Sequence, residues 1–143
     1  MSASPRRRAR EFLVQALYQQ QLAGHSAGEL AEQFADAPGF NKADEDYFHQ
    51  LLRGILLDTD SLDAVIVAHA NRDLAQLDPV GRAVLWLSCY ELAHCPSVPT
   101  RVVIDEAIEL AKAYGATDSY RFVNAVLDKA RKNMLARNKA EGG

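Results

Sequence analysis

The sequence predicts an all-α fold, a compact bundle of about seven helices, and three observations carry the expectation. Apolar residues recur at i, i+3 and i+4 along most of the chain, and no alternating stretch marks a strand. A capping residue is twice followed by proline, at Ser4-Pro5 and Asp78-Pro79. That pair marks a helix start, because the first helical position needs no backbone donor. Gly24 and Gly115 close two of the periodic stretches, as glycine does just past a helix end.

The elements follow in order. The first helix runs from Pro5 to about Ala23, with Leu13, Ala16, Leu17 and Gln20 on one side and Val14, Tyr18 and Leu22 beside them. A shorter helix is expected over Ala27–Phe34. Residues 36–44, with Pro38, Gly39 and Asn41, read as a loop. A third helix covers Asp44–Leu57, with Tyr47, Phe48, Leu51, Leu52, Ile55 and Leu56 in register. Asp58–Ser61 reads as a stop and a new cap, followed by the stripe Leu62, Val65, Ile66 and His69. Pro79–His94 is the most apolar helix and the expected centre, with Ala83, Val84, Leu87, Ser88 and Glu91 along one side. Pro96 and Pro99 bound a tight connection. The sixth helix is Pro99–Tyr114. Thr117 is the expected cap of the seventh, which reaches about Arg137 with the stripe Val123, Val126 or Leu127, Ala130 and Met134. Residues 1–137 then form one domain, and 138–143 a disordered tail.

Charge is segregated along the chain. The net charge is −3, yet nine of the 16 Lys and Arg lie at the ends. Between positions 11 and 128 there are seven basic and 18 acidic residues. Arg6, Arg7, Arg8 and Arg10 crowd the start of the first helix, where they oppose the positive end of its dipole. A nucleic-acid phosphate backbone is the candidate reason; a solubilising tail is the plain alternative. Lys129, Arg131, Lys132, Arg137 and Lys139 suit a helix C-terminus. No apolar run is long enough for a membrane span and no signal peptide precedes the arginines, so a cytoplasmic protein is expected. Cys89 and Cys95 read as reduced thiols.

The chemistry expected of the chain is binding rather than catalysis. His25, His49, His69 and His94 have no metal-ligand spacing, there is no phosphate-binding glycine loop, and no cofactor is implied. Asp105, Glu106 and Glu109 read as a solvated helix face. Glu91 reads as a structural carboxylate that needs a partner. The stretch GATDSYRFVN, Gly115–Asn124, places Thr117, Asp118 and Ser119 at a helix start, where free N–H groups can hold a phosphate. Arg121 adds charge, and Tyr120 and Phe122 offer rings for an unstacked base. An ordinary capped helix with core aromatics explains the same residues.

Three stretches together resemble the NusB family of bacterial transcription antitermination factors. They are RRRAREFLVQALYQ at Arg6–Gln19, VLWLSCYELAH at Val84–His94 and VPTRVVIDEAIELAKAYGATDSYRFVNAVLDK at Val98–Lys129. The resemblance implies two packed three-helix-type sub-bundles that divide near Asn71–Asp78. It implies a partner, the small-subunit ribosomal protein NusE, and a short single-stranded boxA-type RNA in ribosomal RNA leader transcripts. The RNA would be held near the elongating RNA polymerase in an antitermination complex. Carried over, the RNA surface is Arg6, Arg7, Arg8 and Arg10 with Asp118, Ser119, Tyr120, Arg121 and Phe122, and His69 beside it. Tyr18, Gln76 and Arg82 fall on the NusE-facing side. Gly81 stands where relatives can carry an acid, and Trp86 at an often basic position. An exposed Trp86 would anchor a homodimer. The alternative function is accordingly an all-α homodimeric interaction module without specific RNA binding. A NusB-like domain is also found fused to ribosomal RNA cytosine-5 methyltransferases, whose α/β cofactor domain and catalytic cysteine are not expected within these residues, since the family domain already uses them. Four phosphates engaged by the arginines would give a log–log salt slope of roughly −3 on a single strand.

Overall fold

The computed structural model describes residues 3–141, with side chains described from residue 3 to residue 133. Among these residues are seven α-helices: α1 (Pro5–Ala23), α2 (Ala27–Ala35), α3 (Glu45–Leu56), α4 (Thr59–Ala70), α5 (Pro79–His94), α6 (Thr100–Tyr114) and α7 (Ser119–Glu141). Short 3-10 turns at Phe40–Lys42 and Leu74–Gln76 complete the set, and no strand occurs among the described residues. The chain divides into two compact units, Met1–Thr59 and Asp60–Gly143.

In the first unit, α1, α2 and α3 pack on one another. The Ser4 hydroxyl accepts from Arg7 N–H at 3.1 Å, and Gly24 ends α1 at φ 71°. Ser26 and Glu29 form a capping box at the start of α2, each side chain bonding the other's backbone N–H at 3.1 Å. Phe12, Phe34, Phe40 and Phe48 build the aromatic centre, with ring centroids 4.9–6.1 Å apart. Phe40 lies in the stretch expected to be a plain loop. Its 3-10 turn folds the ring inward, which no periodic pattern announces. The Asp44 N–H donates to the Pro5 carbonyl at 2.9 Å and sets the starts of α1 and α3 side by side.

In the second unit, α5, α6 and α7 pack mutually around Leu85, Leu87, Val103, Leu110, Val126 and Leu127. Asp78 caps α5 by accepting from Gly81 N–H at 2.8 Å. Asp63 on α4 ties that helix to α5. Its carboxylate accepts from Arg82 Nε at 3.1 Å, Arg82 Nη2 at 2.6 Å and Trp86 Nε1 at 2.7 Å. The boundary therefore falls at Thr59/Asp60, not near Asn71–Asp78, because α4 bonds forward to α5. α4 begins at Thr59, inside the stretch Asp58–Ser61 read as a stop and a new cap.

α7 begins at Ser119, two residues beyond Thr117, which lies in a turn and is not its cap. Asp118 precedes the helix with φ 68°. The backbone of α7 continues through 138–141, expected as tail, because Lys139, Ala140 and Glu141 are all good helix formers. The expected stripe residue Met134, and the cations Arg137 and Lys139, have side chains outside the described residues, as do residues 142 and 143 altogether.

Candidate nucleic-acid interface

The four N-terminal arginines do not form one phosphate-facing group. Arg6 and Arg10 are one helical turn apart on α1, and both lie against Tyr47 of α3. The Arg6 guanidinium carbon sits 3.8 Å from the ring centre, and Arg6 Nε donates to Asp44 Oδ2 at 3.3 Å. Arg10 is only 4 % exposed, 5.8 Å from the same ring centre. Arg10, expected on the RNA surface, is thus buried against α3. Arg7 is exposed and Arg8 half-buried. The adverse dipole at this helix start is offset by Asp44 and Tyr47, so tertiary contact explains part of the cluster.

The start of α7 is likewise divided. Ser119 is 8 % exposed, and its hydroxyl donates to Asp78 Oδ2 at 3.2 Å, joining the beginnings of α7 and α5. Ser119, expected on the RNA surface, is thus largely buried and its hydroxyl is engaged by Asp78. Asp118 is exposed and pairs with Arg121 Nε at 3.6 Å. Arg121 Nε also donates to the Tyr120 hydroxyl at 3.1 Å, which holds its guanidinium above the ordinary value. Lys112 Nζ stands 5.0 Å from the Tyr120 ring centre. Phe122, two positions on, points about 200° around the helix from Tyr120. Its ring lies under the Arg72 guanidinium at 4.8 Å. Two cation–aromatic pairs therefore face different sides of α7.

His69 is half-buried near the end of α4. Its Nδ1–H donates to the Val65 carbonyl at 2.8 Å, and Asn133 Nδ2–H donates to His69 Nε2 at 2.6 Å. Both edges of the ring are used.

Tyr18 is exposed on α1, with Leu22 exposed one turn further on. Gln76 is exposed in the second 3-10 turn. Arg82, expected on the NusE-facing side, donates to Asp63 and lies 4.9 Å from the Trp86 ring centre. Trp86 is 3 % exposed. It packs inside, and the homodimer loses its proposed anchor.

Arg131 and Lys132 pair with Asp128 at 3.2 and 3.1 Å, and the Lys132 hydrogen bond is the main cause that holds the Asp128 carboxyl below its usual range. Among the described residues, no group of three or more His, Cys, Asp or Glu is arranged to hold a metal, and no helix is long and apolar enough to cross a membrane. Arg72 and Lys112 are the residues that sequence reading passed over. Neither sits in a motif, and each finds its ring across the fold.

The comparisons with known proteins agree on one family. The family model described as "NusB family" matches residues 7–132. A transcription antitermination protein NusB of Aromatoleum aromaticum is 48% identical over 128 residues, covering 90% of this chain and 88% of that one. The solved T. maritima NusB is 34% identical with TM-score 0.81, covering 92% and 93% of the two chains. A solved complex of the antitermination factors NusB and NusE with dsRNA is 26% identical with TM-score 0.81, covering 89% and 96%.

Proposed function

The chain belongs to the NusB family of transcription antitermination proteins, and from that premise we propose that it binds single-stranded boxA-type RNA together with NusE. The RNA lies in ribosomal RNA leader transcripts, and the assembly joins the antitermination complex on RNA polymerase. The observation that carries the RNA reading is the pair of cation–aromatic surfaces at α7, Arg72 on Phe122 and Lys112 with Arg121 on Tyr120. Rings beside cations suit a strand whose bases are unpaired, since a base can stack only once it leaves its duplex. Arg7 and Arg8 supply backbone charge at α1, and the exposed pair Tyr18 and Leu22 supplies the apolar contact for NusE. NusE supports tight binding by adding a second linked contact to a weak one.

The test is fluorescence anisotropy with a labelled boxA-type strand, a scrambled strand and a duplex, each with and without NusE. Preference for the boxA-type single strand, strengthened by NusE and weakened by Arg7→Ala/Arg8→Ala, is the expected result. Equal binding of scrambled and boxA-type strands in the presence of NusE would sink the reading.

A further inference from the structure

Helices α6 and α7 are joined by residues 115–118 and pack against each other, so they run antiparallel. Their seam holds an open groove of about 450 Å³, lined by Arg101, Ile104 and Asp105 of α6 and by Asn124, Asp128 and Arg131 of α7. The antiparallel order sets Arg101 and Arg131 near one end, Asp105 and Asp128 in the middle and Asn124 at the other end. The groove lies on the side of α7 away from Phe122, since Asn124 is about 200° further around the helix.

The polar groups of this groove stay open. Arg101 Nε meets Asp105 Oδ2 at 3.9 Å along α6, and Arg131 Nη2 meets Asp128 Oδ1 at 3.2 Å along α7, where Lys132 Nζ meets Asp128 Oδ2 at 3.1 Å. Among the described residues none of these groups bonds across the seam, and the exposed Asn124 amide makes no side-chain hydrogen bond. Asn is a weak helix former, so its place inside α7 gains nothing locally. Two guanidiniums balance two carboxylates, which favours neither a phosphate chain nor a polycation. A ligand bearing both signs fits. The amide adds one donor side and one acceptor side, the set a peptide group presents in return.

We infer that this groove docks an extended segment of a protein partner that carries an acidic and a basic side chain two residues apart. The acid pairs with Arg101 and Arg131, the base pairs with Asp105 and Asp128, their aliphatic stems lie on Ile104, and Asn124 bonds the segment's backbone. The spacing follows from the helices. Arginine and aspartate stand three or four residues apart on each, about 4.5–6 Å along the axis. Side chains on one face of a strand stand two residues apart, about 6.5–7 Å. From Asn124 to Arg131 the run is about 10 Å, room for three or four extended residues. The inference goes beyond the RNA reading and does not depend on it.

The experiment follows the backbone amides of the whole isotope-labelled protein by NMR as a capped alanine pentapeptide, with glutamate second and lysine fourth, is added. A control peptide sets the same two residues side by side, on opposite faces of a strand. Saturable shifts at residues 100–105 and 124–131 are expected, with the control about 2- to 5-fold weaker, the range for an exposed ion pair. Asn124→Ala should weaken the peptide about 2- to 12-fold, the range for one hydrogen bond. Arg131→Gln should weaken it about 2- to 5-fold and should not affect a peptide with glutamine in place of glutamate. Thermal melts confirm that both variants fold.

Equal affinity for the two peptides would overturn the spacing, and equal losses for the glutamate and glutamine peptides in Arg131→Gln would overturn the ion pair. Shifts that do not saturate by about 10 mM peptide, tenfold above a Kd of about 1 mM, overturn the site itself. If the same amides shift on dilution of the free protein, a second copy fills the groove and the inference fails. If they shift with the boxA-type strand and not with the peptide, the inference fails and the RNA reading stands. Peptide binding without RNA binding would sustain the groove and sink the RNA reading.

Discussion

At the residue scale, Gly81 shows how a family position can be set by its neighbours. A side chain there would begin 2.9 Å from Asp78 Oδ2 and 3.3 Å from Ser119 Oγ. Alanine normally stabilises a helix by about 1 kcal/mol over glycine. Displacing the Asp78 cap costs about the same. Gly81→Ala should therefore change stability little, whereas Gly81→Asp sets a second carboxylate against Asp78 and should lower it by about 1–2 kcal/mol. Urea denaturation checks both, and a gain near 1 kcal/mol in Gly81→Ala would mean that Asp78 yields freely. Cys89 supplies a second prediction. Burial pushes its thiol up to about 12 from 9.0. An unfolded chain thus ionises above pH 9 while the folded one keeps its proton, so this contribution is complete below pH 9 and is lost as pH rises towards 12. The slope is about 1.4 kcal/mol per pH unit in that window. Cys89→Ala should be less stable at pH 8 but should lose less stability than wild type between pH 9 and 10.5. Parallel curves would show that the thiol is not the cause.

At the element scale, the Asp63 carboxylate joins α4 to α5 through three bonds, two from Arg82 and one from Trp86. Removing it leaves a half-buried guanidinium and an indole N–H without their acceptor. Asp63→Ala should cost about 2–3 kcal/mol, more than an exposed ion pair is worth. Trp86 fluorescence should report the change directly. A loss within 0.5 kcal/mol, the range of neutral surface changes, would show that α4 is held by other contacts. The helices themselves were largely legible because their signals are local. Ser4-Pro5 and Asp78-Pro79 start α1 and α5 where cap chemistry says, and Gly24 and Gly115 end α1 and α6. The start of α7 was not legible, since the left-handed Asp118 puts the first turn after Thr117. The boundary between the two units was missed because the Asp63 carboxylate on α4 bonds to residues 19 and 23 positions ahead. Phe40 was missed because a 3-10 turn is too short for a period.

At the scale of the whole molecule, charge works by placement. An acidic middle between basic ends limits non-specific attraction to phosphate, so binding depends on which cations reach the surface. The sequence offers four arginines in one run as equivalents, and burial separates them, because Tyr47 and Asp44 lie some forty positions away and no local pattern reveals them. The consequence is measurable. If Arg7 and Arg8 supply the phosphate-side charge, the log–log salt slope for a single strand should be about −1.4, rather than the roughly −3 of four engaged N-terminal arginines. Arg7→Ala/Arg8→Ala should make the slope shallower by about 1.4 and leave stability nearly unchanged. Arg10→Ala should leave the slope alone and lower stability by about 1–3 kcal/mol, as loss of a buried, packed side chain does. Anisotropy titrations from 50 to 200 mM salt, paired with urea melts, separate the two effects. A slope that falls equally in both variants would return Arg10 to the RNA surface and make its burial a state that RNA displaces.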